Sequence, residues 1–279
     1  MKRLLLLLAI CPLFLFAQTE LNVMTFNIRF NNPGDSLNAW PYRKDKVASQ
    51  ILFHKAHIIG VQEALHGQLS DMQQSLKQYN YVGVGREGGA KGEYSAIFFD
   101  TVRLKLLSSA TFWLSQHPDS VGIKGWDAAL PRIVTWAKFT DRKTGKQFFV
   151  FNTHFDHMGE VARKESAKLV LQKVKEIAKD IPCIITGDFN AQPQEEPIKV
   201  LVNKNDPAHL IDTKEISIQP HYGPEGSFNA FQQKEIHDHP IDHIFIKGKF
   251  RVLQHATLSE SWQGRFSSDH FPVFAKLEL

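Results

Sequence analysis

Short polar segments recur along this chain where apolar runs end, and they hold most of the side chains suited to chemistry. Asn27 closes the run 21–26, Glu63 follows Ile58-Ile59-Gly60-Val61, and His154 and Asp156 follow Phe148-Phe149-Val150-Phe151. Asp188 and Asn190 stand in Gly187-Asp188-Phe189-Asn190, after Ile184-Ile185-Thr186. Asp242 and His243 lead into Ile244-Phe245-Ile246, and Asp269-His270 lies in the tail Ser268-Asp269-His270-Phe271-Pro272-Val273. An Asp next to a His at the mouth of a strand sets a hard oxygen ligand beside a base. Asp188 and Asn190 are two apart, so on an extended segment both point to one face. Such side chains gathered at strand termini are the equipment of metal-assisted phosphoester hydrolysis.

A hard divalent cation such as Mg²⁺ takes oxygen ligands, keeps several waters, and needs only one or two carboxylates besides the substrate phosphate. Glu63 and Asp269 can supply the carboxylates for Mg²⁺ or Mn²⁺, with Asn27 helping through its amide oxygen. Taken alone, Glu63 also reads as a solvated acid at a helix start. Arg132 opens a strand after a long loop carrying Trp126, and its guanidinium can clamp phosphate bidentately. A surface arginine has the same appearance in sequence. Trp40 and Arg43 make a similar pair, and His221, Tyr222, His237, Asp238 and His239 form a candidate substrate rim. A zinc site from those histidines lacks cysteines and regular spacing.

The elements that must position these groups are mostly strands. Strand-like runs cover 21–28, 56–62, 81–85, 93–100, 103–114, 132–140, 147–154, 182–187, 242–246, 250–258 and 271–277. Helical patterning is confined to 43–55, 67–79 and 159–179; in the last, Val161, Leu169, Val170, Val174 and Ile177 make an apolar stripe. Many strands with few helices between them predict two mixed sheets rather than one parallel doubly wound sheet. Stacked face to face with helices outside, they bury the abundant aromatic and β-branched residues. The irregular stretches 31–40, 116–130, 203–219 and 221–238 are long enough to be binding loops.

Taken together, Thr25-Phe26-Asn27-Ile28-Arg29, Val61-Gln62-Glu63, Asn152-Thr153-His154, Gly187-Asp188-Phe189-Asn190, Ile241-Asp242-His243 and the terminal Ser268-Asp269-His270-Phe271-Pro272 resemble the endonuclease/exonuclease/phosphatase superfamily. All six occur in the family's order, over residues 21–279. The resemblance implies an α/β fold, a four-layer α/β/β/α sandwich of two mixed sheets flanked by helices. It implies a metal site at Asn27, Glu63 and Asp269, and a His270 held by Asp242 and facing the scissile phosphate. That His270 acts either as a base toward water or as an imidazolium that stabilises the transition state. Asp188 then orients the attacking water and Asn190 bonds a phosphate oxygen. His154 matches the family histidine that contacts phosphate or protonates the leaving oxygen, and Glu93 matches its carboxylate partner in the deoxyribonuclease branch. Some members carry an Asp where this chain has Arg29, which argues against a second tight metal and leaves Arg29 to face phosphate or close an ion pair.

Lys2 and Arg3, the apolar stretch 4–16 and Ala17 read as a secretory leader too short to span a bilayer comfortably, so 1–17 is expected to be removed. Residues 18–279 then form the catalytic domain, secreted or periplasmic, expected to be monomeric and without a transmembrane helix. With Cys11 gone, Cys183 has no disulfide partner and reads as a buried hydrophobe. The net charge of +4, lowered by two without the leader, is far from that of a dedicated nucleic-acid binder. The expected substrate is therefore a small, lipid- or sugar-linked phosphoester, with DNA or RNA as the alternative. A ligand-binding pseudoenzyme would lack the key ligands, and a glycosidase using Asp188 and Glu63 would leave Asp269-His270 idle.

Overall fold

The computed structural model describes residues 20–234 and 238–279. The expected leader, with Cys11, and the rim candidate His237 lie outside the described residues. The elements are β1 (Glu20–Asn27), α1 (Lys44–Phe53), β2 (Ile58–Ala64), α2 (His66–Ser75), β3 (Tyr79–Val82), β4 (Tyr94–Asp100), β5 (Leu104–Trp113), β6 (Ile133–Asp141) and β7 (Gln147–His154). They continue with α3 (Glu160–Ala178), β8 (Cys183–Asp188), α4 (Glu196–Leu201), β9 (Ile211–Asp212), β10 (Asp242–Lys247), β11 (Arg251–Thr257), β12 (Ser261–Trp262), β13 (Arg265–Phe266) and β14 (Val273–Glu278). The short α4 and the two-residue strands β9, β12 and β13 lie where the sequence pattern assigns no element, because elements that short carry no periodicity.

Two six-stranded mixed sheets form, in the orders β11-β14-β1-β2-β4-β3 and β5-β6-β7-β8-β10-β9. Alternation along the strands divides the apolar residues among three layers of core. Met24, Phe26, Ile59 and Val61 meet Val47, Ile51, Leu69 and Met72 of α1 and α2. Phe149, Phe151, Cys183 and Ile185 meet Val170, Leu171 and Val174 of α3. Val23, Ile58, Phe148, Val150 and Ile184 point the other way and meet between the sheets. Three cores require four layers, so the α/β/β/α sandwich follows from the period-two pattern.

Topology then delivers the polar termini to one edge. β1 and β2 run parallel, as do β7 and β8, so Asn27, Glu63, His154 and Asp188 all sit at carboxyl ends on the same side. β14, β4, β6 and β10 are antiparallel to those strands, so their amino ends, flanked by His270, Glu93 and Arg132 and opened by Asp242, reach the same edge.

The sheets are bolted together by buried polar groups. Asn152 Nδ2 donates to Val61 O at 2.9 Å and Ala96 O at 2.8 Å, while its Oδ1 accepts from Gln62 Nε2 at 2.6 Å and Thr186 Oγ1 at 3.0 Å. The β2–β4 ladder shifts register between Val61 and Ala64. A bulge of this kind re-aims side chains, and Glu63 adopts φ 62° within it. The bolt occupies the space above Gly60, where an added Cβ would lie 2.1 Å from Thr186 Oγ1 and 2.5 Å from Asn152 Oδ1. Gly60→Ala is therefore expected to cost about 3 kcal/mol, since it overpacks the interface and breaks buried hydrogen bonds. Urea denaturation measures this, and an unchanged midpoint would mean the bolt has room to yield.

Candidate active site

In the second sheet His154, Asp188 and Asp242 lie abreast on three adjacent strands. Asp188 is buried; its Oδ2 accepts from Asn27 Nδ2 at 2.9 Å and lies 3.6 Å from His154 Nε2 and 3.8 Å from His270 Nε2. Its Oδ1 accepts the Asn190 N–H at 2.9 Å. β8 ends at Asp188, and Asn190 turns into the left-handed region at φ 46°. The expected alternation on one extended segment therefore does not occur. Asn190 reaches the cleft through that turn instead, its Nδ2 anchored on Phe155 O at 3.0 Å.

Asp242 Oδ2 accepts from His270 Nδ1 at 2.8 Å and from Ser227 Oγ at 2.6 Å. The Ser227 oxygen itself receives the N–H groups of Ile241 and Asp242, both at 3.1 Å, so its proton is left for the carboxylate. Phe228 follows, edge-on to the His270 ring at 5.0 Å between centroids. Neither Ser227 nor Phe228 is conspicuous in sequence: their loop, 213–241, carries no period that announces a site.

Opposite this pair, Glu63 Oε1 accepts from Asn27 Nδ2 at 2.9 Å and Oε2 from the Phe30 N–H at 3.1 Å. The Asn27 amide oxygen, expected to aid a cation, instead accepts the Arg29 N–H at 3.0 Å, while the amide nitrogen orients Glu63 and Asp188. Arg29 is an ion-pairing residue: it binds Asp35 at 3.0 and 3.2 Å and stands 3.7 Å from Asp269 and 4.0 Å from Glu63. Arg43, the other sequence candidate, does not face the cleft; it is buried among the carbonyls of Ile28, Arg29 and Ser267.

The third wall is basic. Arg132 is buried, with Nε 3.2 Å from Asp156 Oδ2 and NH2 3.0 Å from His157 Nδ1. Asp156 also accepts the N–H groups of Ala129, Leu130, Met158 and Gly159, which makes it the organiser of two loops. Glu93 does not hold His154 as expected; its Oε2 binds Arg86 NH1 at 2.8 Å. Trp126 does not line the cleft, because its loop turns at φ 50° and closes on Gln116. The cleft, about 500 Å³, is lined by Arg29, Glu63, Arg86, Arg132, His154, Asp188, Asn190, Phe228, Asp269 and His270, among others.

Burial and neighbouring charges set the ionisation of these groups. Burial disfavours the His270 imidazolium, but the Asp242 charge and hydrogen bond, with Asp188 and Asp269, push its pKa well above the usual value. Asp188 is driven up to about 7 by burial and by the Asp242 charge. His154 is held well below its ordinary pKa by burial and by Arg132, and so stays neutral. Asp269 is raised by burial, with Glu63 adding to the shift.

Two cation placements arise. Asp188, Asp242 and His270 offer one ligand atom each within 4.8 Å of one another, a spacing that can hold a metal. Glu63 and Asp269, facing the same Arg29, offer the all-oxygen donors suited to a hard divalent ion. The second set fits a hard divalent ion better, since its donors are all oxygens whereas the first includes an imidazole nitrogen.

Residues 24–270 match the endonuclease/exonuclease/phosphatase family. The chain belongs to that family of divalent-metal-dependent phosphoric ester hydrolases. It is 41% identical to an endonuclease/exonuclease/phosphatase structure from Bacteroides vulgatus, with a TM-score of 0.89 over 94% of this chain and 99% of that one. It is 39% identical to the mannosyl-6-phosphatase of Bacteroides thetaiotaomicron, with a TM-score of 0.87 over 93% and 100%. Among curated relatives, Protein angel of Drosophila melanogaster is 26% identical over 177 residues, 60% of this chain and 48% of that protein, so the match spans about half the relative's length.

If Asp242 acts only through His270, Asp242→Asn and His270→Ala should each lower kcat by about 10² or more. The double variant should then be little worse than His270→Ala alone. Multiplicative losses in steady-state kinetics would show that the two act separately.

Proposed function

We propose that the protein is a Mg²⁺- or Mn²⁺-dependent hydrolase of a small sugar-linked phosphoester, acting outside the cytoplasm. The observation that carries the substrate class is the 39% identity with a mannosyl-6-phosphatase over the full length of that chain. A cleft of about 500 Å³ suits a compact ligand, and the modest charge of +4 gives no reason to favour a polyanion. The leader read at 1–17 supports export.

Glu63 and Asp269, with Asn27 orienting Glu63, are the residues that would hold the cation. When bound, such an ion polarises the phosphoryl group and steadies the charge that develops on it. His270 faces carboxylates with both ring nitrogens, Asp242 at 2.8 Å and Asp188 at 3.8 Å, and is thereby kept proton-bearing toward the phosphoryl oxygens. Asp188 is then the group beside the attack line that can accept a proton from water. Asn190 and neutral His154 border the same space and bind phosphoryl oxygens or serve the leaving group. Arg132 is fixed by Asp156 as a cationic wall.

Three assays test this reading: mannose 6-phosphate, phosphoester chromogens and supercoiled plasmid, each with Mg²⁺, Mn²⁺ or chelator. Chelation should abolish turnover, and Glu63→Gln should weaken Mg²⁺ binding in calorimetry and activity together. Nicking of plasmid at ~150 mM salt without turnover of any small ester would replace the sugar-phosphate reading with a nuclease.

A further inference from the structure

The basic wall contains a recess of about 10 Å³ bordered by Arg86, Glu93, Ser95, Arg132 and His154. Arg86, Glu93, Arg132 and His154 also line the main cleft, so the recess is a side chamber of the catalytic space. A volume of that size holds about one water-sized atom and no alkyl chain.

Two buried arginines, each fixed by its own contacts, border the recess. Arg86 is 9% exposed, and its Nε is buried without a protein hydrogen-bond partner. Its position is not accidental. NH1 is braced by Glu93 at 2.8 Å, its carbonyl accepts from Trp113 Nε1 at 2.7 Å, and its N–H donates to Glu93 O at 2.9 Å. The loop around it turns on Gly88, Gly89 and Gly92, all at positive φ. Arg132 is braced in the same way by Asp156 and His157. Each guanidinium is thus held from one side by a carboxylate. Arg86 and Arg132 therefore stand at the recess as fixed cations, which an anionic oxygen placed there would match in charge.

We infer that this recess receives a charged terminal oxygen of a phosphate monoester, and that Arg86 is a specificity-determining residue selecting monoesters over diesters. The inference rests on the phosphoester-hydrolase reading above. A monoester near neutral pH carries close to two negative charges on three terminal oxygens. A diester replaces one of these with an alkoxy group. Seated here, its carbon would meet guanidinium N–H groups in a space too small for it, leaving the donors unpaired. Sites built from buried donors reject ligands that lack the matching acceptor far more strongly than apolar pockets reject a misfit. Glu93 is then a positioning residue for Arg86 rather than for His154.

The test compares p-nitrophenyl phosphate with bis(p-nitrophenyl) phosphate under Mg²⁺. Wild type should favour the monoester in kcat/KM by about 10² or more. Arg86→Gln should lower monoester kcat/KM by at least about 10-fold and leave the diester within about threefold. Equal losses on both esters, or an unchanged monoester rate, overturn the inference. An independent measurement on wild type covers the case in which the variant does not fold: inorganic phosphate should inhibit at least about 10-fold more tightly than dimethyl phosphate, and equal inhibition overturns the inference as well. Wild type that prefers the diester leaves the hydrolase reading standing and removes this one. Wild type that cleaves neither ester removes both.

Discussion

The site depends on one constraint: two sheets that could slide over an apolar interface must be held in a single register. Val23, Ile58, Phe148, Val150 and Ile184 supply burial between the sheets, but burial is non-directional. Asn152 supplies direction. It spans from β7 to the backbone of β2 and β4 and takes up carbonyls that the irregular β2–β4 ladder leaves available. Thr186 and Gln62 satisfy its oxygen, so all the hydrogen-bonding groups of the Asn152 side chain are paired, and the three side chains are fully buried. A buried amide paired at both its nitrogen and its oxygen specifies one arrangement, because any slip of the sheets would leave those groups unpaired. Because the bolt lies at the bulge that carries Glu63, the same contact that aligns the sheets also aims a carboxylate at the cleft.

From that alignment the electrostatic layout follows. Carboxylates from β1-side segments, Glu63, Asp269 and Asp35, gather on one wall, and the cations Arg86 and Arg132 on the other. Arg29 crosses into the acidic wall, and Asp156 and Glu93 back the basic one. Arg43 joins the loop after β1 to the segment before β14 through five main-chain carbonyls. It thereby fixes the distance between the piece carrying Asn27 and the piece carrying Asp269 and His270. Burial lowers its pKa to about 10, still high enough to keep the charge.

Much of this was legible in sequence, for a physical reason. Side-chain direction alternates along a strand, so an Asp or His after an apolar run announces a strand end, and the eleven strand-like runs correspond to the eleven longer strands. Partnership across the chain was not legible. Glu93 stood seven residues from Arg86, but only the glycine-rich loop with positive φ at Gly88, Gly89 and Gly92 folds them together. Trp126 sat in a loop of the right length yet turns away from the cleft, because loop direction is set by local φ and by anchors such as Asp156. Asn190 reached the cleft by a left-handed turn that no alternation rule contains. Ser227 could not be read at all: its role comes from receiving two N–H groups, which forces its own proton onto Asp242.

The histidines make the same point about environment. His154 and His270 are both buried and both near Asp188, at 3.6 and 3.8 Å, yet their protonation is driven in opposite directions. The difference lies in what stands behind each ring. Behind His270 is Asp242, locked by Ser227, so the imidazolium has a fixed counter-charge. Beside His154 are Arg132 and Arg86, which repel a proton there. The basic wall therefore acts twice: it borders the cleft with cations, and, after burial and together with the charge on His270, it helps keep His154 neutral. An acid and a neutral donor or acceptor are thus set side by side within a single buried site, and the residue type alone could not have told them apart.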